Sequence, residues 1–112
     1  MKRIAGEVYG GLLRNSPELV SKHLRHVRWS GDYGYYLQLL AGCGWSSLPW
    51  LRFLAQPTLV IAGTDDPFVP VVNGRILAML IPNAHLVTVD DGHLFLVTSA
   101  GATAEIICKF LN

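Results

Sequence analysis

Two apolar runs in this chain stop on complementary chemistry. Thr58-Leu59-Val60-Ile61-Ala62-Gly63 leads into Thr64-Asp65-Asp66-Pro67, and Leu86-Val87-Thr88-Val89 leads into Asp90-Asp91-Gly92-His93. Short β-branched and aliphatic runs bounded by glycine, aspartate and proline read as strands. The first is apolar throughout, the pattern of a strand buried on both faces in a parallel sheet. An acid at the end of one buried strand and a histidine at the end of the next make two thirds of a hydrolytic triad. The histidine follows Asp66 by 27 residues. In the chain order nucleophile, acid, histidine, the nucleophile stands upstream, in G-x-S-x-G between a strand and a helix. None of Ser16, Ser21, Ser30, Ser46, Ser47 and Ser99 has glycine both two residues before it and two residues after it.

The 112 residues are one domain at most, and 51% hydrophobic content is enough for a globular core. No run approaches the roughly 18 apolar residues of a membrane helix. Met1-Lys2-Arg3-Ile4-Ala5-Gly6-Glu7 has a charged start without the apolar stretch of a signal peptide. Cys43 and Cys108 make no disulfide framework and suit a reducing, cytoplasmic setting. Neither sits in a metal-binding spacing, so no metal and no cofactor is expected. Residues 1–53 carry seven basic against three acidic side chains, and residues 54–112 carry two against five. With most of the aromatics also in the first half, the halves read as different layers of one structure.

The first half reads as helical. Ser16 is a candidate N-cap, with Pro17 in the first helical position and Glu18 favourable to the dipole. Val20, Leu24 and Val27 recur at helical spacing, and Gly31 and Gly34 break the pattern. A second helical segment is expected over Tyr35–Ala41, and a short aromatic helix near Pro49, within Trp45–Phe53. Gln56-Pro57 is the boundary, because a residue before proline is pushed out of the α region. Beyond it the expectation is strand Thr58–Ala62, helix Pro70–Ile81, strand His85–Val89 and helix Ala102–Leu111. Val72, Ile76, Met79 and Leu80 form the apolar stripe of the first of these helices. Thr103, Ile106, Ile107, Phe110 and Leu111 form the buried face of the second, with Glu105 and Lys109 paired outside. Strand–helix–strand–helix implies parallel pairing. Two strands are too few for an open sheet, so more of the sheet is expected from elsewhere.

These elements resemble the C-terminal portion of an α/β-hydrolase. The superfamily likeness rests on Gly63-Thr64-Asp65-Asp66-Pro67-Phe68-Val69-Pro70 and Asp91-Gly92-His93. Within the superfamily the chain is most similar to intracellular poly(3-hydroxyalkanoate) depolymerases acting on medium-chain polyesters. That likeness runs from about Tyr9 to Leu111. It is carried by Gly34-Tyr35-Tyr36-Leu37-Gln38-Leu39, Gly42-Cys43-Gly44-Trp45, Gln56 to Pro70, and Ile81-Pro82-Asn83-Ala84 through Leu96. The resemblance implies an α/β fold with a helical cap (lid) segment over residues 1–55 and a strand-helix-strand-helix core over residues 56–112. It implies a serine ester hydrolase whose acid is Asp66 and whose general base is His93, with the nucleophile absent from this chain. Trp45, Trp50, Tyr35 and Tyr36 are candidates to line a lipophilic cleft. The expected partners are an ester or polyester substrate and the missing N-terminal half or a second copy, with localisation in the cytoplasm at the surface of polyester granules.

Each residue also has a plainer reading. Asp66 before Pro67 suits a turn carboxylate, His93 a polar strand-end residue, and the aromatics a cap helix packed on the core. Gly92 is expected to turn the chain so that His93 points back over the sheet edge. Asp65 competes with Asp66, and the resemblance, which implies an acid three residues after Gly63, favours Asp66. Asp90 and Asp91 read as solvated or capping acids rather than a metal site. His23 and His26, with Lys22, Arg25 and Arg28, read as a solvated helix face rather than a nucleic-acid surface. Two other classes stay open beside the ester hydrolase. One is a non-catalytic remnant acting as an interaction module. The other is part of a dehalogenase or epoxide hydrolase, which differ at the missing nucleophile.

Overall fold

The computed structural model describes residues 7, 9–25 and 33–112, and of residues 23, 24 and 35 the backbone alone. Val27, His26, Arg28 and Gly31 therefore lie outside the described residues, as do the side chains of Leu24, His23 and Tyr35. In chain order come helices α1 (Gly11–Asn15), α2 (Pro17–Leu24) and α3 (Gly34–Gly42), then a two-turn 3-10 helix (Leu48–Phe53). Strand β1 (Thr58–Gly63), helix α4 (Val71–Leu80), strand β2 (Ala84–Val89) and helices α5 (Phe95–Thr98) and α6 (Ala100–Leu111) complete it. Helix α2 begins at Pro17, where the missing N–H costs nothing. Gly34 opens α3 rather than breaking a helix.

The two strands pair in parallel, Thr58 opposite Ala84 through Gly63 opposite Val89. Helix α4 makes the crossover and packs on both strands. Its inward face differs from the expected stripe. Val72, Ile76, Met79 and Leu80 are exposed, while Gly74 and Ile81 are buried and Val71, Leu77 and Ala78 half-buried. Gly74 decides this: a Cβ there would stand 3.0 Å from Cβ of Ala62 and 3.3 Å from Cδ1 of Leu86, so the helix settles on the sheet through its glycine. In α6 the inward face is likewise narrower than expected. Thr103 is buried and Ile106 and Phe110 half-buried, but Ile107 and Leu111 are exposed. Strand β1 buries Val60 and Gly63 fully and its other four residues only in part, so it is not covered on both faces by the described residues.

The chain before β1 does not lie apart from the sheet. Tyr9 to Leu12 runs between the loops that follow β1 and β2, and three hydrogen bonds hold it there. The Gly11 N–H donates to Oδ2 of Asp65 at 2.8 Å, the Leu12 N–H to Oδ1 of Asp91 at 2.8 Å, and the His93 N–H to the Tyr9 carbonyl at 2.7 Å. Gly10 and Gly11 have φ of 66° and 54°, in the left-handed region. A Cβ on either would collide with the backbone of residue 65 or 92.

Candidate active site

Both strands end at the same edge, and the residues just beyond them meet. The Thr64 N–H donates to the Val89 carbonyl and the Asp65 N–H to that of Asp91, so the two loops continue the ladder past the strands. Successive aspartates then turn to opposite sides. Asp65 reaches Gly11 and pairs with Arg14 at 2.9 Å. Asp66 reaches His93: its Oδ2 lies 2.9 Å from Nδ1 of the imidazole.

Asp66 is held at both oxygens. Oδ1 accepts the Phe68 N–H at 2.8 Å and the Val69 N–H at 2.9 Å, the turn expected of an Asp-Pro pair. The turn carboxylate and the histidine partner are thus one side chain. The Asp66 side chain is 5% exposed and that of His93 36%. Burial disfavours the Asp66 anion, but the Val69 N–H, the His93 ring, the Phe68 N–H and the imidazolium charge outweigh it. The carboxyl is held below its ordinary value. An ionised carboxylate on Nδ1 selects the tautomer with its proton on Nδ1 and leaves Nε2 as the acceptor.

The rings around this imidazole are Phe68, with centroids 5.3 Å apart, and Tyr9, nearly parallel to it at 6.4 Å. The sequence reading singled out neither. Phe68 sits between the prolines of the Asp66 loop and Tyr9 beside two glycines, so their positions offered a signal that the residue types did not. Of the cleft candidates, Trp45, Trp50 and Tyr36 lie on the surface. Trp50 packs at an angle on Phe53 with centroids 6.5 Å apart. The Ser46 hydroxyl accepts the Leu48 N–H at 3.3 Å, at the start of the 3-10 helix.

Of the two readings of Asp91, solvated or capping, the structure takes the second. Asp91 is not solvated but 2% exposed. Its Oδ1 accepts the Leu12 and Gly92 N–H groups, and its Oδ2 the hydroxyls of Thr98 and Ser99 at 2.5 and 2.6 Å. Burial raises its pKa, but the Ser99 and Thr98 hydroxyls and the Leu12 and Gly92 amides prevail and hold it below the ordinary value. Asp90 stays exposed and accepts the Thr64 hydroxyl at 3.0 Å. Gly92 has no left-handed φ. It is needed for close approach, because a Cβ there would strike the Tyr9 carbonyl and Gly10. Among the described residues no group of three or more His, Cys, Asp or Glu is placed to hold a metal ion.

The family model of the alpha/beta hydrolase fold matches residues 2–100. The chain belongs to that family. It is 57% identical over 110 residues to a poly(3-hydroxyalkanoate) depolymerase of Ectopseudomonas oleovorans, covering 98% of this chain and 39% of that protein. It is 29% identical over 105 residues to 3-oxoadipate enol-lactonase 2 of Acinetobacter baylyi, covering 91% of this chain and 39% of the lactonase. The chain thus spans about two fifths of the length of these relatives, and its two parallel strands with flanking helices are part of an α/β-hydrolase fold.

Proposed function

We propose that this chain supplies the acid and the general base of a serine ester hydrolase acting on a poly(3-hydroxyalkanoate). The observation that carries the reading is the contact of Nδ1 of His93 with a carboxylate whose other oxygen is fixed by two amides. Asp66 accepts the Nδ1 proton and stabilises the imidazolium. His93, through Nε2, takes the proton of a serine hydroxyl as the serine attacks an ester carbonyl, then returns it to the departing alkoxide. The serine and the oxyanion donors come from outside this chain. Support for an ester rather than a carbon–halogen bond or an epoxide comes from the relatives, a depolymerase of a polyester and a lactonase. Helices α2 and α3 and the 3-10 helix belong in this reading to a lid, whose exposed Trp45, Trp50 and Tyr36 offer apolar surface to a lipophilic chain; Tyr35 stays a candidate beside them. The setting is cytoplasmic, at the polyester surface; among the described residues no helix is long and apolar enough to cross a membrane.

A chimera tests this. This chain replaces the matching stretch of the Ectopseudomonas oleovorans depolymerase, and hydrolysis of p-nitrophenyl octanoate and of the polyester is followed. The chimera is expected to turn over both. His93→Ala and Asp66→Asn each cost roughly a thousandfold or more in kcat, the first because the proton acceptor is gone and the second because the wrong tautomer cannot accept the serine proton. Asp65→Asn costs far less, since Asp65 binds Gly11 and Arg14 instead. The chain by itself shows no turnover. A folded chimera indifferent to His93→Ala would end the proposal.

A further inference from the structure

Asp91 takes no part in the proton transfers above, yet it is the most heavily bonded carboxylate among the described residues. Its four donors come from three separate pieces of chain: Leu12 at the start of α1, Gly92 at the turn after β2, and Thr98 at the end of α5 with Ser99 just after it. Two of these pieces bear directly on His93. Gly92 precedes it, and Leu12 ends the strap whose Tyr9 carbonyl accepts the His93 N–H at 2.7 Å. The strap also lays the Tyr9 ring nearly parallel to the imidazole, at 6.4 Å between centroids. The contact is tight. A Cβ on Gly11 would collide with Gly92 and with Asp91 itself, and one on Gly92 with Tyr9 and Gly10. The strap and the His93 turn thus pack backbone against backbone.

We propose that Asp91 is a positioning residue, a buried carboxylate that clamps the Tyr9–Leu12 strap and the Gly92 turn together and thereby keeps the His93 imidazole on Asp66. Asp65 holds the same strap from the other side through the Gly11 N–H, and its own N–H reaches the Asp91 carbonyl, but its carboxylate binds neither Gly92 nor α5. The significance of the clamp rests on His93 being the base, as proposed above. Its existence does not depend on any hydrolysis.

The test therefore reads the ring and not turnover. The whole chain is treated with diethyl pyrocarbonate under native conditions, and peptide mass spectrometry follows carbethoxylation of His93 against His85. His85 is exposed on β2 and packs edge-on to Phe110, with no bond to the clamp. With Nδ1–H on the Asp66 carboxylate, Nε2 bears the free lone pair and its nucleophilicity is raised, so His93 reacts readily. Asp91→Ala is expected to lower the His93 to His85 rate ratio roughly tenfold, the factor for loss of one charge-assisted hydrogen bond. Asp91→Asn should fall between, because an amide oxygen still accepts from Leu12 and Gly92 while the nitrogen cannot accept from Thr98 or Ser99. Val60→Ala lowers stability from the core of β1 and should leave the ratio unchanged. If Asp91→Ala fails to fold, all histidines react alike and Asp91→Asn decides. A folded Asp91→Asn with the wild-type ratio, or a Val60→Ala that shifts the ratio equally, overturns the clamp. An inactive chimera with the ratios as expected would refute the hydrolase reading and leave the clamp standing.

Discussion

At Asp66 one oxygen receives the Phe68 and Val69 amides and the other faces Nδ1 of His93. At Asp91 one oxygen receives two amides and the other two hydroxyls. Both carboxyls are held below their ordinary value in the folded chain, Asp66 and Asp91 alike overcoming burial through hydrogen bonds to the anion. A depressed native pKa stabilises the fold above the unfolded value, and the benefit drains away as pH falls through the native value. The urea midpoint, followed by circular dichroism at low protein concentration, should therefore be flat from about pH 7 to 5 and fall below about pH 4, where carboxylates take up protons. Asp91→Asn should lie well below wild type at neutral pH and approach it near pH 3. A gap that stays constant or widens in acid would mean that the Asp91 charge contributes nothing to stability.

Among the elements, the strap shows what glycine does when backbones touch. Gly11→Ala puts a side chain at φ 54° and into Gly92 and Asp91, so it should cost at least the 1 to 3 kcal/mol typical of a strained backbone, about 2 kcal/mol. Gly101→Ala is the contrast. Gly101 is exposed in α6 with open space around it, and alanine there should stabilise by about 0.5–1 kcal/mol. Hydrogen exchange of the two variants separates the cases: faster exchange confined to residues 9–15 and 91–99 for Gly11→Ala, none for Gly101→Ala. Equal effects would mean that the strap is not docked. The same contrast explains what the sequence made legible. Strands β1 and β2 were readable to within one residue, because short runs rich in β-branched and aliphatic residues between glycine, aspartate, asparagine and proline mark strands. The meeting of Asp66 with His93 followed from two such runs ending at one edge. The face of α4 departs from its apolar stripe because Gly74 lets the backbone approach the sheet and sends Val72, Ile76 and Met79 outward. The strap was illegible for another reason. Its carboxylates lie 54 and 79 residues away in sequence, and nothing in Gly10-Gly11 names a distant partner.

Over the whole molecule the balance of surface is unusual. The chain exposes 8625 Å², against about 6100 Å² for a compact monomer of its 12.3 kDa. Its radius of gyration is 16.1 Å, where roughly 13 Å is usual at this length. Only Leu13, Val20, Val60, Ile81 and Val89 form a buried apolar core among the described residues, while Trp45, Trp50, Phe53, Val72 and Met79 stand exposed. A two-stranded sheet also leaves strand edges unpaired. Apolar surface on this scale calls for a cover, and in the proposed enzyme the remainder of the hydrolase core provides it. By itself the chain should bind a hydrophobic dye such as anilinonaphthalene sulfonate and self-associate as its concentration rises, seen by analytical ultracentrifugation. Co-expression with the complementary part of the Ectopseudomonas oleovorans depolymerase should yield a stoichiometric complex with dye binding largely lost. A pair that stays separate, or a lone chain that remains a dye-free monomer with a sharp cooperative melt at micromolar concentration, would show that this surface needs no hydrolase core to cover it. The chain would then be a self-sufficient module.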